Sequence, residues 1–173
     1  TVRRGAQDYL VKSALDGDLL SRSIRYAIER KHVEEALRES EERYSMAMRG
    51  ANDGLWDWKL HFNKIYYSPR WKSILGYEED EIGDSPAEWF NRIHPDDVER
   101  VRVSIGTHLK EASPHFECEY RIRNKAGNYL WVLTRGLAVH DADGHAYRMA
   151  GSQSDITERK QAEEQLLRNA FYD

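Results

Sequence analysis

A single cysteine, Cys118, stands in a chain of 173 residues. A lone thiol rules out an internal disulfide framework and fits a reducing compartment. Long apolar runs are missing too. Nothing approaches the roughly 18 consecutive apolar residues of a membrane span, and no signal peptide is visible. Positive charge is also in short supply: the formal net charge is −4 and the pI near 6.0, which argues against a nucleic-acid-binding surface. The spacings that carry metal chemistry do not occur, neither His-x-x-x-His nor Cys-x-x-Cys. Nor is there a phosphate loop, a nucleophile elbow or a paired acid site. No metal centre and no catalysis is expected of this stretch.

The length suits one ordinary domain with appendages. Apolar residues are 40%, charged residues 32%, and the mean hydropathy is −0.82. That is polar for a globular chain, and the excess sits in two connectors. All five tryptophans lie between them, enough for a core. The connectors share a phrase: Glu29, Arg30, Lys31, Glu34, Glu35 and Leu37 recur 129 positions later as Glu158, Arg159, Lys160, Glu163, Glu164 and Leu166. A repeated connector implies modules strung on helices.

Gln7 to Lys12 reads as a short buried strand. Asp16, Gly17 and Asp18 break it, after which Leu19, Leu20, Ile24, Ala27 and Ile28 recur at helical spacing. From Glu29 onward the helix changes character. Val33, Leu37, Ser40, Tyr44 and Ala47 are spaced 4, 3, 4 and 3, a narrow seam flanked by charge that suits a parallel dimer. A single helix lying on its own domain's sheet is the alternative. Ala162, Leu166, Asn169 and Asp173 repeat the seam.

Between the connectors, Leu55 to Leu60 and Ile65 to Tyr67 read as strands. Ser68-Pro69 starts a short helix that Gly76 ends. Ser85-Pro86 with Glu88 reads as a capping box, and His94-Pro95-Asp96-Asp97 as a third helix start, with carboxylates where the helix dipole favours them. Val98, Val101, Ile105 and Leu109 form the buried stripe of this longest inner helix. Three hairpin-linked strands follow: one of alternating residues from Phe116 to Ile122, one from Tyr129 to Val139, one from Ala146 to Ser154. The last runs straight into a helix, with Asp155 as its cap and Glu158 in capping-box position. Two strands, short helices, then three strands define an α+β domain with an antiparallel sheet and helices on one face.

The motifs YYSPRWKSILGY, WFNRIHPDD, FECEYRIRNKAGNYLWVLTRG, DADG and GSQSDITERK, in that order, resemble a PAS domain with its C-terminal PAC motif, over about residues 42–165. The resemblance implies a five-stranded sheet in the order 2-1-5-4-3, short helices around a candidate ligand cavity, and a sensory or dimerising role without catalysis. It places the PAS/PAC domain at 42–157, a linker helix at 29–48 and an exit helix at 155–173, both helices of the coiled-coil signalling type. Residues 1–28 resemble the last strand and helix of a response-regulator receiver, with Lys12 at the place of that family's lysine, Ser13 where proline is usual, and the phospho-accepting aspartate missing. The final LLRNAFYD resembles the entry to a GGDEF (diguanylate cyclase) domain, and a histidine-kinase dimerisation helix is the other continuation.

The candidate pocket is walled by Trp71, Trp89, Val101, Ile105, Phe116, Cys118, Tyr120 and Met149, with Gln153 at its edge. A closed core filled by the same side chains is the alternative reading. No cofactor is expected. His108 lies near where haem-binding PAS domains place their ligand, but a lone helical histidine is weak evidence. The cysteine motif of the flavin photosensors is absent. Gln153 sits where those sensors place a flavin-contacting glutamine, and is read here as an inward polar residue bonded to backbone. Any ligand is expected to be a colourless, largely apolar small molecule. Asp155, Ile156 and Thr157 resemble the DIT junction that couples PAS sheets to exit helices. The dimer seam is Val33, Leu37 and Tyr44 with Ala162 and Leu166. The expected partners are a second copy, a receiver upstream and a GGDEF or kinase domain downstream in one chain, with no nucleic acid and no membrane contact, in a bacterial cytoplasm.

Overall fold

Residues 17–111 and 113–172 are described by the structure, a computed structural model. The strand expected at Gln7–Lys12 and the seam position Asp173 lie outside them. Contacts divide the chain after Ala51.

The first unit is α1 (Gly17–Ala51), 35 residues that run unbroken through the change of character at Glu29. Pairs four residues apart lace its polar surface: Arg30–Glu34, Lys31–Glu35 and Arg38–Glu42. Exposed pairs of this kind add only ~0.3–0.5 kcal/mol each. Val33, Leu37 and Tyr44 are exposed, at 68%, 58% and 60%.

In the second unit, caps and glycines set the boundaries as the sequence suggests. β1 (Gly54–Lys59) ends in a single 3-10 turn, Leu60–Phe62, closed by Asn63 in the left-handed region. Leu60 therefore leaves the strand. β2 (Lys64–Tyr67) follows, then α2 (Pro69–Ile74). The Ser68 hydroxyl accepts from the Trp71 amide, and Gly76, at φ +80°, reverses the chain after α2. α3 (Pro86–Phe90) is capped by Ser85, whose hydroxyl accepts from Ala87. Glu88 does not close a capping box there. One of its oxygens pairs with Arg92 at 2.6 Å and the other faces the Gly83 amide. α4 (Pro95–Glu111) begins at His94, whose Nδ1 accepts from the Asp96 amide. β3 (Phe116–Arg123), β4 (Tyr129–His140) and β5 (Ala146–Asp155) complete one sheet, and α5 (Thr157–Tyr172) leaves it.

The sheet is antiparallel in the order β2-β1-β5-β4-β3, the expected α+β PAS arrangement. Its inner face meets α2, α3 and α4 in one core built on Trp56, Trp71, Trp89, Ile105 and Tyr120. At the centre, β4 and β5 meet at Gly136 opposite Gly151, and Gly151 faces Trp56 on β1. A Cβ on Gly151 would fall 1.8 Å from the Arg135 carbonyl oxygen, and one on Gly136 would fall 2.7 Å from the Trp56 ring. Gly151 lets the β4 backbone approach, and Gly136 leaves room for the Trp56 indole, whose Nε1 donates to the Ser152 carbonyl at 3.2 Å. No described helix is long and apolar enough to cross a membrane.

Candidate functional site

Alternation along β3 divides its side chains between two tasks. Phe116, Cys118, Tyr120 and Ile122 are buried in the core, while Glu119 and Arg121 remain accessible.

Tyr120 is the inner hub. Its hydroxyl accepts from Trp89 Nε1 at 2.7 Å, lies 2.8 Å from Thr134 Oγ1 and reaches Gln153 Oε1 at 3.1 Å. One buried oxygen thus joins α3, β3, β4 and β5. Burial pushes the phenol far above the ordinary tyrosine value, so it stays a neutral donor. Gln153 bonds side-chain hydroxyls here, not backbone as its sequence position suggested. Its Nε2 is buried with no acceptor among the described residues, and Trp71 Nε1 is in the same condition. Gly54 pairs with Gln153 across β1–β5, and the start of the Trp71 side chain lies against that same Gly54. Gly54 therefore adjoins both residues. A buried N–H without an acceptor costs about 1–3 kcal/mol.

The nine pocket candidates, Trp71, Trp89, Val101, Ile105, Phe116, Cys118, Tyr120, Met149 and Gln153, are all buried. Eight of them belong to the core cluster, and Gln153 joins through Tyr120. Thr134 was missed, although its inward place between Val132 and Gly136 was readable from strand alternation. Burial raises the Cys118 thiol, and Arg100 Nη1 lies 3.3 Å from its sulfur.

The outer tasks of β3 tie helices to the sheet. Asp97 accepts from the Arg121 backbone amide at 3.0 Å and from its guanidinium at 2.9 Å through both oxygens. The Arg121 bond holds the Asp97 carboxyl below the usual carboxylate range. Asp97 lies in the first turn of α4, where the helix dipole favours it as expected, and also closes the outer edge of β3. Arg100 donates to the Glu119 carbonyl at 2.9 Å beside it. The Glu119 carboxylate takes Lys160 at 2.6 Å and also Arg159, both from α5. The Lys160 bond lowers its pKa.

The exit junction is built on Trp131. The Ile156 amide donates to the Trp131 carbonyl at 2.9 Å, and the Trp131 amide donates to Thr157 Oγ1 at 3.1 Å. Asp155 accepts from the Thr157 amide at 2.9 Å. Lys160 lies over the Trp131 ring at 5.3 Å, and Arg121 at 5.6 Å. The cap falls one residue later than expected: the first helical carbonyl is that of Ile156, which accepts from Lys160. Among the described residues Glu158 does not make the reciprocal bond of a capping box, and Asp155 alone serves the start of α5.

His108 is buried, with Nε2 accepting from the Ala138 amide at 3.1 Å and Nδ1 2.6 Å from Ser113 Oγ. Its proton must sit on Nδ1 and point at the serine. That is the wrong tautomer to activate Ser113, and it leaves no free lone pair for an iron. Asp141, Asp143 and His145 converge in the β4–β5 turn, within 4.8 Å of one another and exposed. Asp141 accepts from the amides of both Asp143 and His145, which organises the turn and lowers its own pKa.

A five-stranded sheet with short helices over a polar-centred core, and a helix leaving its last strand, is the layout of a sensory module. The chain belongs to the PAS fold family, which it matches over residues 64–153. As a PAS domain it is a sensory module and not itself an enzyme. It is 34% identical over 95 residues to a methyl sulfide methyltransferase-associated sensor of Methanosarcina acetivorans, covering 55% of this chain and 10% of that protein. Its fold is similar to that of a sensory box histidine kinase/response regulator from Burkholderia thailandensis (38% identity, TM-score 0.66, 74% of this chain and 95% of that one). It is also similar to the N-terminal domain of a diguanylate cyclase with PAS/PAC sensor from Marinobacter aquaeolei (23% identity, TM-score 0.57, 62% and 98%), a likeness of fold alone. The chain spans about a tenth of the methanogen sensor's length.

Tyr120→Phe tests the inner hub. It strips the buried Trp89 Nε1 of its acceptor, and is expected to cost about 1–3 kcal/mol, read as a lower urea midpoint with an unchanged slope. An unchanged midpoint would remove the hydroxyl as a structural centre.

Proposed function

We propose that this PAS module relays the state of its interior to an output domain through α5, and that α1 and α5 pair with the same helices of a second copy in a parallel homodimer. The observation that carries the relay is the exit junction. α5 starts on hydrogen bonds to the Trp131 backbone and on ion pairs to Glu119, one residue from Tyr120. A shift of β3 that moves Tyr120 inside moves Glu119 under α5. Asp155, Ile156 and Thr157 are the coupling residues. In support of the dimer, the seam residues Val33, Leu37, Tyr44 and Leu166 are exposed on their helices.

The ligand we propose is a small molecule held in the interior lined by Trp71, Trp89, Tyr120 and Met149. Gln153 Nε2 and Trp71 Nε1 call for a hydrogen-bond acceptor on an otherwise apolar, colourless body. For the whole protein we propose a receiver domain upstream and a diguanylate cyclase downstream, on the resemblances at the two ends, in a bacterial cytoplasm. A histidine kinase output is the second reading, supported by the Burkholderia relative.

Native mass spectrometry of gently purified chain is expected to show one small molecule per protomer. A bare protomer mass would leave a ligand-free spacer module as the reading. Leu37→Glu with Leu166→Glu is expected to shift a dimer towards monomer in light scattering, and a monomeric unmutated chain at high micromolar concentration would end the dimer proposal.

Asp155→Ala removes one acceptor at the start of α5 at a cost of ~1 kcal/mol. That is too little to unfold the core and enough to bias a helix between two orientations. In the full-length protein, the response to stimulus is expected to shrink or shift its midpoint. An unchanged response would reduce Asp155 to a helix cap.

A further inference from the structure

Two histidines hold the last turn of α4 against β4. The β3–β4 ladder ends at Phe116 opposite Gly136. Beyond it, the Ala138 amide has no β3 partner and donates instead to His108 Nε2 at 3.1 Å. The imidazole stands in for a missing strand. His140 Nε2 lies 3.0 Å from the Leu109 carbonyl and donates to it.

These two contacts respond differently to acid. A protonated imidazole has two N–H donors and no acceptor. His140 already donates, so a second proton leaves its bond intact. His108 must accept at Nε2 and donate at Nδ1 to Ser113, so a second proton sets two donors face to face.

The surroundings offer a His108 cation no rescue. His115, ahead of β3, and His140, on β4, both act to keep it neutral, after burial, which is the larger cause. Lys110 and Glu111 end α4 beside it. Glu117 of β3 lines the same cleft but is bonded to Arg135 of β4 at 2.8 Å. The open cleft beside His108 holds about 330 Å³, a route for water to the ring. His108 also rests against the buried Phe116, ring centroids 6.2 Å apart.

We propose that His108 is an acid-operated latch on the helical face of the domain: a proton taken by Nε2 releases the Ala138 amide, and the last turn of α4 comes away from the β4 edge. The closed state resists this proton and the open state takes it at the ordinary histidine value of about 6.5. Closure is therefore complete above that pH. It weakens by up to about tenfold per unit as the pH falls, until the closed form itself protonates. Carboxylates as a class titrate some two units lower, so the window is a histidine's.

The test follows hydrogen exchange of the Ala138 amide in the 173-residue chain, with rates corrected for the intrinsic pH dependence of exchange. Protection is expected to be flat above about pH 6.5 and to fall by up to about tenfold per unit below it. His108→Gln supplies an acceptor that does not titrate in this range and is expected to flatten the profile. Protection that is flat from about pH 7.5 to 5 in the unmutated chain would overturn the latch. So would an identical fall in His108→Gln, which would assign the effect to His115 or His140. Should that variant not fold, nitrogen chemical shifts of His108 in the unmutated protein decide. A neutral ring protonated on Nδ1 at neutral pH, charging only as Ala138 loses protection, supports the latch. A ring that charges while Ala138 stays protected overturns it.

Discussion

A buried hydroxyl governs how this domain holds together. Tyr120 ties α3 to three strands through a single oxygen, in a place where no water competes and an unmade bond is costly. Because the oxygen both accepts and donates, the position of α3 depends on those of β4 and β5. The apolar part of the core supplies most of the burial energy, but it is non-directional. The network around Tyr120 specifies one arrangement of helices over the sheet.

The strand carrying that hydroxyl also carries Glu119, and the two point to opposite faces because successive strand residues do. Inside, Tyr120 reads the packing of α3 and Gln153. Outside, Glu119 holds Arg159 and Lys160. One peptide unit therefore separates the buried hub from the residue that holds the exit helix, which is the short mechanical route the proposed relay uses. The second attachment, on the Trp131 backbone, belongs to the neighbouring strand. The start of the helix is thus held by both β3 and β4. Asp97 and Arg100 fasten the same strand to α4 from its outer edge, so α4, β3 and α5 form one connected set.

The open edge of β4 beyond Gly136 shows how such a sheet ends. An unpaired strand edge is a liability, and here part of it is covered by a side chain, not a strand. The imidazole of His108 meets the need for an acceptor at Ala138 at neutral pH, and its chemistry makes that cover conditional.

The sequence by itself determined the element order, the sheet order through family resemblance, and most boundaries, because caps, prolines and turn glycines act within a few residues of where they stand. Ser68, Gly76 and His94 do what their positions imply. The inward set of β3 was legible from its period of two. Where two residues compete for one partner, the sequence was not enough. Glu158 has the spacing of a capping box, yet the start of the helix is held by the Trp131 backbone, 25 residues before Ile156 in the chain. Glu88 is drawn to Arg92 instead of its cap. Asp97 stands in the first turn of α4 as its position implied, and its second role as the clasp of a strand edge was not legible. Gln153 was read as bonded to backbone and instead meets hydroxyls from two other strands. His108 looked like an isolated helical histidine, and only the early end of the β3–β4 ladder put an unpaired amide against its ring. Local signals are decided by the nearest few residues. Hydrogen bonds between distant segments are decided by which donors and acceptors the packed core leaves unpaired, and that set exists only once the chain has folded.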